Sequence, residues 1–244
     1  LVHLGNWNNH ATKQVSCPEQ RYQKVADIYN QSPIPVLWVP GDNEWNDCEN
    51  YPTSKQYWRE NFVGFESKQH YESRQPFEQF ERQNKRQENF SFLFRKVLYV
   101  GLNVVGGKVK DEEEWAERLS DNINFLQDKV TSVSDDELDV VVIFGNTGNI
   151  SSNNHFFKSL DNLVQEWNSN KGTRERKNKN THALPVFYIK ESDNNSRLKR
   201  KFIQAEDLIL VNVKAGQWPP AKISIDTAGG TFTYNDEWSL EYLN

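Results

Sequence analysis

The 244-residue chain contains no methionine, only two cysteines and only five histidines. The absence of methionine predicts that the natural start lies upstream of Leu1, together with any signal peptide or first strand. No apolar run approaches the roughly 20 residues that a membrane-spanning helix needs, so we expect no transmembrane segment. A net charge of -5 gives no reason to expect a nucleic-acid partner.

The two cysteines, Cys17 and Cys48, permit a single pairing. Two thiols alone make a poor zinc site, and the chain has no Cys-x-x-Cys spacing. From spacing alone, the pair is either a disulfide, which implies an oxidising compartment, or two free buried thiols.

Four N-glycosylation sequons begin at Asn30, Asn89, Asn149 and Asn194. The chain is rich in asparagine, so roughly three such triplets would arise by chance. The sequons therefore name four candidate glycan sites but carry little weight as an argument for secretion.

Aromatic residues are abundant by contrast. They make up 13% of the sequence, with eight tryptophans, and rings in this number argue against a disordered chain because they supply much of the burial in a core. A chain of this length can bury a substantial core. We expect a single domain over residues 1–244.

Helix-like and strand-like segments alternate along the chain, which predicts an α/β fold with mixed strands near the carboxyl end. One strong helix opens at Asp111 and Glu114, which are spaced as a capping box. Residues 66–89 and 170–181 are polar, and we expect both to be surface excursions. The other predicted helices cover 18–31, 54–62 and 155–168. The predicted strands cover 36–39, 90–94, 97–105, 139–145, 183–189, 207–213, 221–226 and 231–234.

Five stretches carry a family resemblance when taken in order: HLGNWNN, PVLWVPGDNEWNDC, ERQNKRQENFSFLFRKVLYVGLNVVGG, EEWAERLSDNINFLQ and DVVVIFGN. They resemble a branch of the calcineurin-like metallophosphoesterases that has a GDNEW-x-DC loop. The likeness covers most of residues 1–150 and, more loosely, the strands of 183–226. It implies a four-layer αββα sandwich of mixed β-sheets, lacking its first strand here, with a site at the carboxyl ends of the strands. It also implies that Cys17 and Cys48 are paired.

The resemblance implies a site for two metal ions, which activate water and neutralise phosphoryl oxygens. Asn6 stands where the family has a bridging aspartate, and a neutral amide cannot balance two cations as a carboxylate does. Asn43 and Glu44 match the family pattern. Asn146 or Asn149 stands where the family has a histidine. The segment 187–193 contains no histidine, although the family has a His-x-His-like element there. The vestigial metal ligands are therefore Asn6, Asn43, Glu44 and Asn146, and we name no catalytic residue.

Two further sites remain open at this point. A single calcium ion would find oxygen ligands on Asp42, Asn43, Glu44 and Asp47, although this stretch lacks EF-hand spacing. The basic runs RERKNKN and RLKRK either bind an acidic partner or form solvated loops.

We expect a catalytically inactive phosphoesterase-like protein, a pseudoenzyme with a structural or binding role. It requires no cofactor, and a divalent Mn, Fe, Zn or Ca ion would be the candidate if one binds. A disulfide would place it outside the cell or at the cell surface, and we expect it to be part of a larger assembly, with other protein subunits or glycans as partners. One alternative is an active metal-dependent phosphoesterase with altered ligands. Another is a lectin-like or scaffold module that uses exposed aromatic residues.

Overall fold

The structure, a computed structural model, describes residues 1–8, 16–68, 77–148, 151–169, 183–192, 197–200, 207–216, 220–226 and 231–235. Helices and strands alternate within these ranges, which confirms the predicted α/β class. The helices are α1 (Glu19–Tyr29), α2 (Tyr51–Phe62), α3 (Phe65–Lys68), α4 (Glu112–Ser132) and α5 (Asn154–Ser169). The strands are β1 (Val2–His3), β2 (Leu37–Trp38), β3 (Glu78–Arg82), β4 (Phe90–Phe94), β5 (Val97–Gly101), β6 (Val140–Phe144), β7 (Val186–Ser192), β8 (Arg197–Arg200), β9 (Leu208–Lys214), β10 (Lys222–Asp226) and β11 (Thr231–Asn235).

Seven strands form the main sheet in the order β3-β4-β5-β6-β7-β9-β8. The strands β5, β6, β7 and β9 pair in parallel, and the pairings at the two edges are antiparallel. Two smaller sheets accompany it, a parallel pair of β1 with β2 and an antiparallel pair of β10 with β11. The helices α4 and α5 connect β5 to β6 and β6 to β7, as parallel neighbours require.

One face of the main sheet packs against α4 and α5. The alternating apolar residues of the strands supply one half of this core, and the apolar stripes of the two helices supply the other. The buried core residues on this face include Leu98, Val100, Trp115, Leu119, Leu126, Val141, Ile143, Phe156, Leu160, Val186 and Leu210.

The side chain of Asp111 caps α4 by accepting the Glu114 N–H at 3.0 Å, as predicted. The Glu114 carboxylate does not complete the capping box, because it binds Arg86 and Arg118.

The opposite face of the main sheet packs against the two small sheets. Leu37 and Val39 join this second core from β2 and its end, and Ile223 and Ile225 join it from β10. The other side of β2 faces α1, α2 and α3, which we call the helical layer. The residues that pack there include Tyr22, Ala26, Val36, Trp38, Trp58, Phe62 and Phe65.

The described residues 77–89 of the predicted excursion at 66–89 do not form a simple surface loop. Residues 78–82 form the edge strand β3, and Arg86, Glu88 and Asn89 beyond it are buried. The Arg86 guanidinium binds Asp121 and Glu114 of α4, so polar contacts hold this segment against the fold. The predicted excursion at 170–181 lies outside the described residues.

The disulfide between Cys17 and Cys48 confirms the pairing that the resemblance implies. It joins the segment before α1 to the residue that follows the turn Asp42–Asn46, with the two Cα atoms 5.8 Å apart. Both cysteines lie in the helical layer. None of the helices in the described ranges is long and apolar enough to cross a membrane.

Candidate functional site

The candidate site lies where β1, β2, β5, β6 and β7 end. Parallel strands bring their carboxyl ends to one edge, where loops of α/β sheets usually bind ligands. The hydrogen bond from Asn146 Nδ2, after β6, to the Leu4 carbonyl, after β1, joins the main sheet to the small sheet at this edge. Two strand-end loops therefore meet in one place, as the resemblance implies for a site.

The loops after β1 and β2 approach each other closely at Gly5 and Gly41. A Cβ atom on either glycine would overlap backbone atoms of the other loop, so only glycine fits at both positions. Gly5 has φ +83° and Asn6 has φ +59°, in the left-handed region that glycine and asparagine tolerate best. This conformation turns the Asn6 N–H towards the Glu44 carboxylate, which is its hydrogen-bond acceptor.

Glu44 is fully buried and holds the two loops together. Its oxygens accept the Asn6 N–H at 2.8 and 3.1 Å and the Gly41 N–H at 2.8 Å. Burial raises the pKa of Glu44 to about 8; the hydrogen bond from Gly41 acts in the opposite direction, and the charge of Asp42 adds to the rise. The carboxyl group therefore acts as a backbone clamp between the two loops.

Asn6 and Asn43 also bind each other. The Asn43 N–H donates to Asn6 Oδ1 at 3.4 Å. The Asn43 carbonyl oxygen lies 3.6 Å from Cys48 Sγ and 4.0 Å from Cys17 Sγ, so the disulfide packs against the same peptide unit. The structure thus brings three predicted ligand positions together, but it joins them through protein hydrogen bonds.

The fourth predicted position, Asn146, is buried and links three strand ends. Its Nδ2 atom donates to Leu4 O at 2.8 Å and to Glu191 Oε2 at 3.2 Å, while its own N–H reaches Val104 O at 3.2 Å. Glu191 closes the link by donating its N–H to Asn146 O. Sequence reasoning missed Glu191, although it falls in the segment where the family has histidines.

The structure places the Asp42 carboxylate within the candidate site. Sequence reasoning had named Asp42 only as a ligand for a single calcium ion. Burial, with the nearby charge of Asp47, raises the pKa of Asp42 to about 6, and a hydrogen bond from the Asn6 side chain opposes the rise. Gly106, beyond β5, leaves room for this carboxylate, because a Cβ there would come 2.8 Å from Asp42 Oδ2. Thr147 Oγ1 borders the same space.

The turn Asp42–Asn46 is one turn of π-helix, a rare conformation that is frequent at functional sites. The loop after β5 covers it. Asn46 Nδ2 donates to the carbonyls of Gly106 and Lys108 at 3.3 and 2.9 Å, and Lys110 Nζ donates to Cys48 O at 2.7 Å. The segment 106–110 therefore fixes this turn through two backbone carbonyls and the Lys110 side chain.

A lysine occupies the segment that lacks the expected histidines. Lys190 Nζ donates to Glu191 O at 2.6 Å, and its side-chain carbons pass over Gly148, where a Cβ would come within 2.9 Å of Lys190 Cε. This segment therefore brings an ammonium group and the Glu191 carboxylate to the sheet edge, in place of imidazole metal ligands.

The four sequons have different environments. Asn30 is exposed at the carboxyl end of α1. Asn89 is fully buried, and its Nδ2 atom donates to Gln83 Oε1 and Asn122 Oδ1 at 2.6 and 2.7 Å. An N-glycan on that nitrogen is not compatible with this packing. Asn149 and Asn194 lie outside the described residues.

A site for two metal ions does not fit these residues. Across the described part of the chain, no three His, Cys, Asp or Glu side chains come together in a way that would hold a metal ion. Asn6 and Asn146 are neutral, and Glu44 points its oxygens at backbone N–H groups. No protein-family model matches the chain, and a search of curated proteins finds no match either.

Proposed function

We propose that the chain is a pseudoenzyme of the calcineurin-like metallophosphoesterase fold, in which the former ligand positions hold the fold together. The observation that carries this proposal is the hydrogen bonding of Glu44. Its carboxylate accepts N–H groups from Asn6 and Gly41, the two residues that begin the strand-end loops. A side chain so engaged stabilises the loops themselves and offers little to a bound ion.

The charge balance at the site supports the same proposal. Two divalent cations need several anionic ligands, because burying a cation without charge compensation is costly. Asn6 supplies a neutral amide in place of a bridging carboxylate, and Asn146 is likewise neutral. The Lys190 ammonium group at the same sheet edge carries a positive charge, so it would repel a bound metal ion.

The order of the layers supports the proposed αββα sandwich. The helices α4 and α5 cover one face of the main sheet, the small sheets cover the other, and the helical layer covers β2 from outside. The disulfide supports a location in an oxidising compartment, outside the cell or at its surface. There the protein would bind other subunits or glycans in a structural role.

Metal analysis and a phosphodiesterase assay test the proposal together. The purified chain is dialysed against manganese, zinc or calcium, its metal content is measured by mass spectrometry, and bis(4-nitrophenyl) phosphate hydrolysis is followed in the same samples. We expect metal well below one equivalent and no turnover above background. Two equivalents of metal with robust turnover would overturn the proposal.

A matched variant makes the assay sharper. Asn6→Asp restores a carboxylate at the sheet edge, whereas Asn122→Asp places one in the buried contact between α4 and the segment 83–89, away from the site. If lost charge is the reason for inactivity, N6D binds more metal than the parent chain and N122D does not.

Asp42 favours the alternative, an active hydrolase with altered ligands. Its carboxylate is partly buried and lies near the charge of Asp47. A bound cation would offset both the burial of Asp42 and its repulsion from Asp47. This alternative predicts that the parent chain hydrolyses the phosphodiester and that Asp42→Asn and Asn43→Ala abolish the activity while the fold survives. A parent chain without activity rules it out.

A further inference from the structure

Three segments converge on the disulfide, and each carries part of the candidate site. Cys17 precedes α1, Cys48 follows the π-helical turn, and Asn8, two residues after Asn6, donates its Nδ2 to Cys17 Sγ at 3.6 Å. Arg21 of α1 donates to Asn8 Oδ1 at 3.2 Å. The cross-link therefore sits at the point where the loop after β1, the start of α1 and the turn after β2 meet.

Contacts from outside the π-helical turn add to the hydrogen bonds at its end. The N–H of Asp47 reaches Asp42 O at 2.8 Å, and the N–H of Cys48 reaches Trp45 O at 3.3 Å. From α1, the Tyr22 hydroxyl donates to Glu44 O at 2.6 Å and lies 3.8 Å from Cys48 Sγ. Cys48 therefore lies beside both the end of this turn and a hydrogen bond to Glu44.

We infer that the Cys17–Cys48 disulfide is a redox-dependent lock on the candidate site, which holds the Glu44 clamp closed only in the oxidised protein. With the cross-link intact, Cys48 anchors the end of the turn, and the sulfur atoms pack against the Asn43 carbonyl next to Glu44. With the cross-link broken, the turn relaxes, Glu44 leaves the Asn6 and Gly41 N–H groups, and the loops after β1 and β2 separate. The main sheet keeps its structure.

The chemical step is the exchange of one disulfide for another. A dithiol reductant supplies two electrons and two protons, the bond between the two Sγ atoms breaks, and Cys17 and Cys48 become thiols while the reductant closes into its own disulfide. Both cysteines are buried, with 8% and 0% of their surface exposed. A reductant therefore reaches the bond only when the loops open, which couples reduction to the state of the site.

The lock acts locally because the cross-link lies outside the main sheet. Both cysteines belong to the helical layer, whereas the central strands β5 and β6 are buried between α4 and α5 on one side and the small sheets on the other. Local opening with a lower free energy than global unfolding is common for such peripheral units. The inference deepens the proposed function, and its test measures local structure, so it stands apart from the metal and hydrolysis assays.

Hydrogen exchange followed by mass spectrometry tests the lock on the intact chain. The oxidised protein, the protein treated with a dithiol and the Cys17→Ala/Cys48→Ala variant are compared. We expect the peptides that contain the amides of Asn6, Gly41 and Glu44 to lose protection on the order of tenfold or more in the latter two samples. We expect peptides of β5 and β6 to be unchanged, and dithiol to have no further effect on the double variant.

Two outcomes would overturn the inference. Unchanged protection at Asn6 and Gly41 after reduction would show that the loops do not depend on the cross-link. Equal loss across β5, β6 and the loops would show that the disulfide supports the whole fold and does not act on the site. An Ile28→Ala variant, which alters an exposed side chain of α1 and keeps the disulfide, provides the matched control, and its loops remain protected in the oxidised state.

Discussion

At the scale of single residues, the side chains at the predicted metal-ligand positions bind other parts of the protein. Glu44 is the centre of this arrangement, because its carboxylate accepts the N–H groups of Asn6 and Gly41. Buried polar groups are costly unless paired, so Glu44 stabilises the loops whether or not the protein is an enzyme.

Glu44→Ala should lower the free energy of unfolding by about 3 kcal/mol, because it leaves the Asn6 and Gly41 N–H groups without acceptors and opens a cavity. Glu44→Gln keeps the volume and one oxygen acceptor, so about half that loss is expected. Urea denaturation measures both. The exposed Glu113→Ala serves as the control and should be neutral; an equally neutral E44A would contradict the clamp.

His3 makes the fold sensitive to acid. Burial between Tyr29 and Trp38 lowers the pKa of His3 to about 4, and its Nδ1 accepts the Gly5 N–H, which requires the neutral ring. Since an unfolded histidine titrates near 6.5, the folded state binds fewer protons between these values. The stabilisation is complete above pH 6.5 and is lost as the pH falls towards 4.

Through His3 alone, acid should therefore lower the free energy of unfolding by about 2 to 3 kcal/mol between pH 7 and 4, whereas the raised pKa values of Glu44 and Asp42 act in the opposite direction. His3→Phe keeps a ring against Trp38 without a titrating group. Urea midpoints of both proteins at several pH values isolate the His3 contribution as their difference. The parent chain should lose stability relative to the variant over this range, and an identical pH profile for the two proteins would refute the assignment to His3.

At the scale of elements, the main sheet depends on a contact between β4 and β5. Phe90 and Gly101 lie opposite each other in the register of these strands, and the Phe90 ring covers the Gly101 backbone so closely that a Cβ would overlap it. Phe90 is fully buried and cannot swing into solvent. Position 101 therefore requires glycine because of the packing of Phe90 against it, and not because of its backbone conformation.

Gly101→Ala should destabilise the protein by about 1 to 3 kcal/mol through this overlap. Phe90→Leu removes part of the ring, so the double variant G101A/F90L should be more stable than the sum of the two single losses predicts. Urea denaturation of the four proteins gives the coupling free energy. Strictly additive losses would show that the two positions do not touch.

At the scale of the whole molecule, metal should not affect stability. A ligand that binds only the folded state at 100 times its Kd stabilises it by about 2.7 kcal/mol, which would raise the Tm of a chain of this size by about 5 to 10 °C. Because Asn6 and Asn146 are neutral and Glu44 binds backbone, we expect no such rise in manganese or zinc and no fall in EDTA. Calorimetry measures the shift.

Much of the architecture could be predicted from the sequence because its signals are local. The apolar spacing and the cap at Asp111 predicted α4, and the short apolar runs predicted β2, β6 and β9 within a few residues. The segment 78–89 could not be predicted in this way, since it is polar. Arg86 and Asn89 are buried only because α4 supplies Asp121, Glu114 and Asn122 as partners.

The site could be predicted in part. The resemblance placed Asn6, Asn43 and Glu44 together, and the structure brings them together through hydrogen bonds. The left-handed backbone at Gly5 and Asn6 directs the Asn6 N–H onto Glu44, and no pattern in the sequence predicts that direction. Glu191 was missed for the same reason, since only the meeting of β6 and β7 brings it to Asn146.

The tryptophans of the helical layer give this protein an optical signal of its own. Trp7, Trp38 and Trp58 surround Phe62, and their indole nitrogens are buried without a hydrogen-bond partner in the described part of the chain. Trp115, on the other side of the main sheet, donates to Ser152 O and Asn153 Oδ1. Indoles in apolar surroundings without such bonds fluoresce at shorter wavelengths than bonded or solvated ones. Among the described tryptophans, Trp7, Trp38 and Trp58 should therefore emit at the blue edge of the spectrum, where a shift would report a change around Phe62.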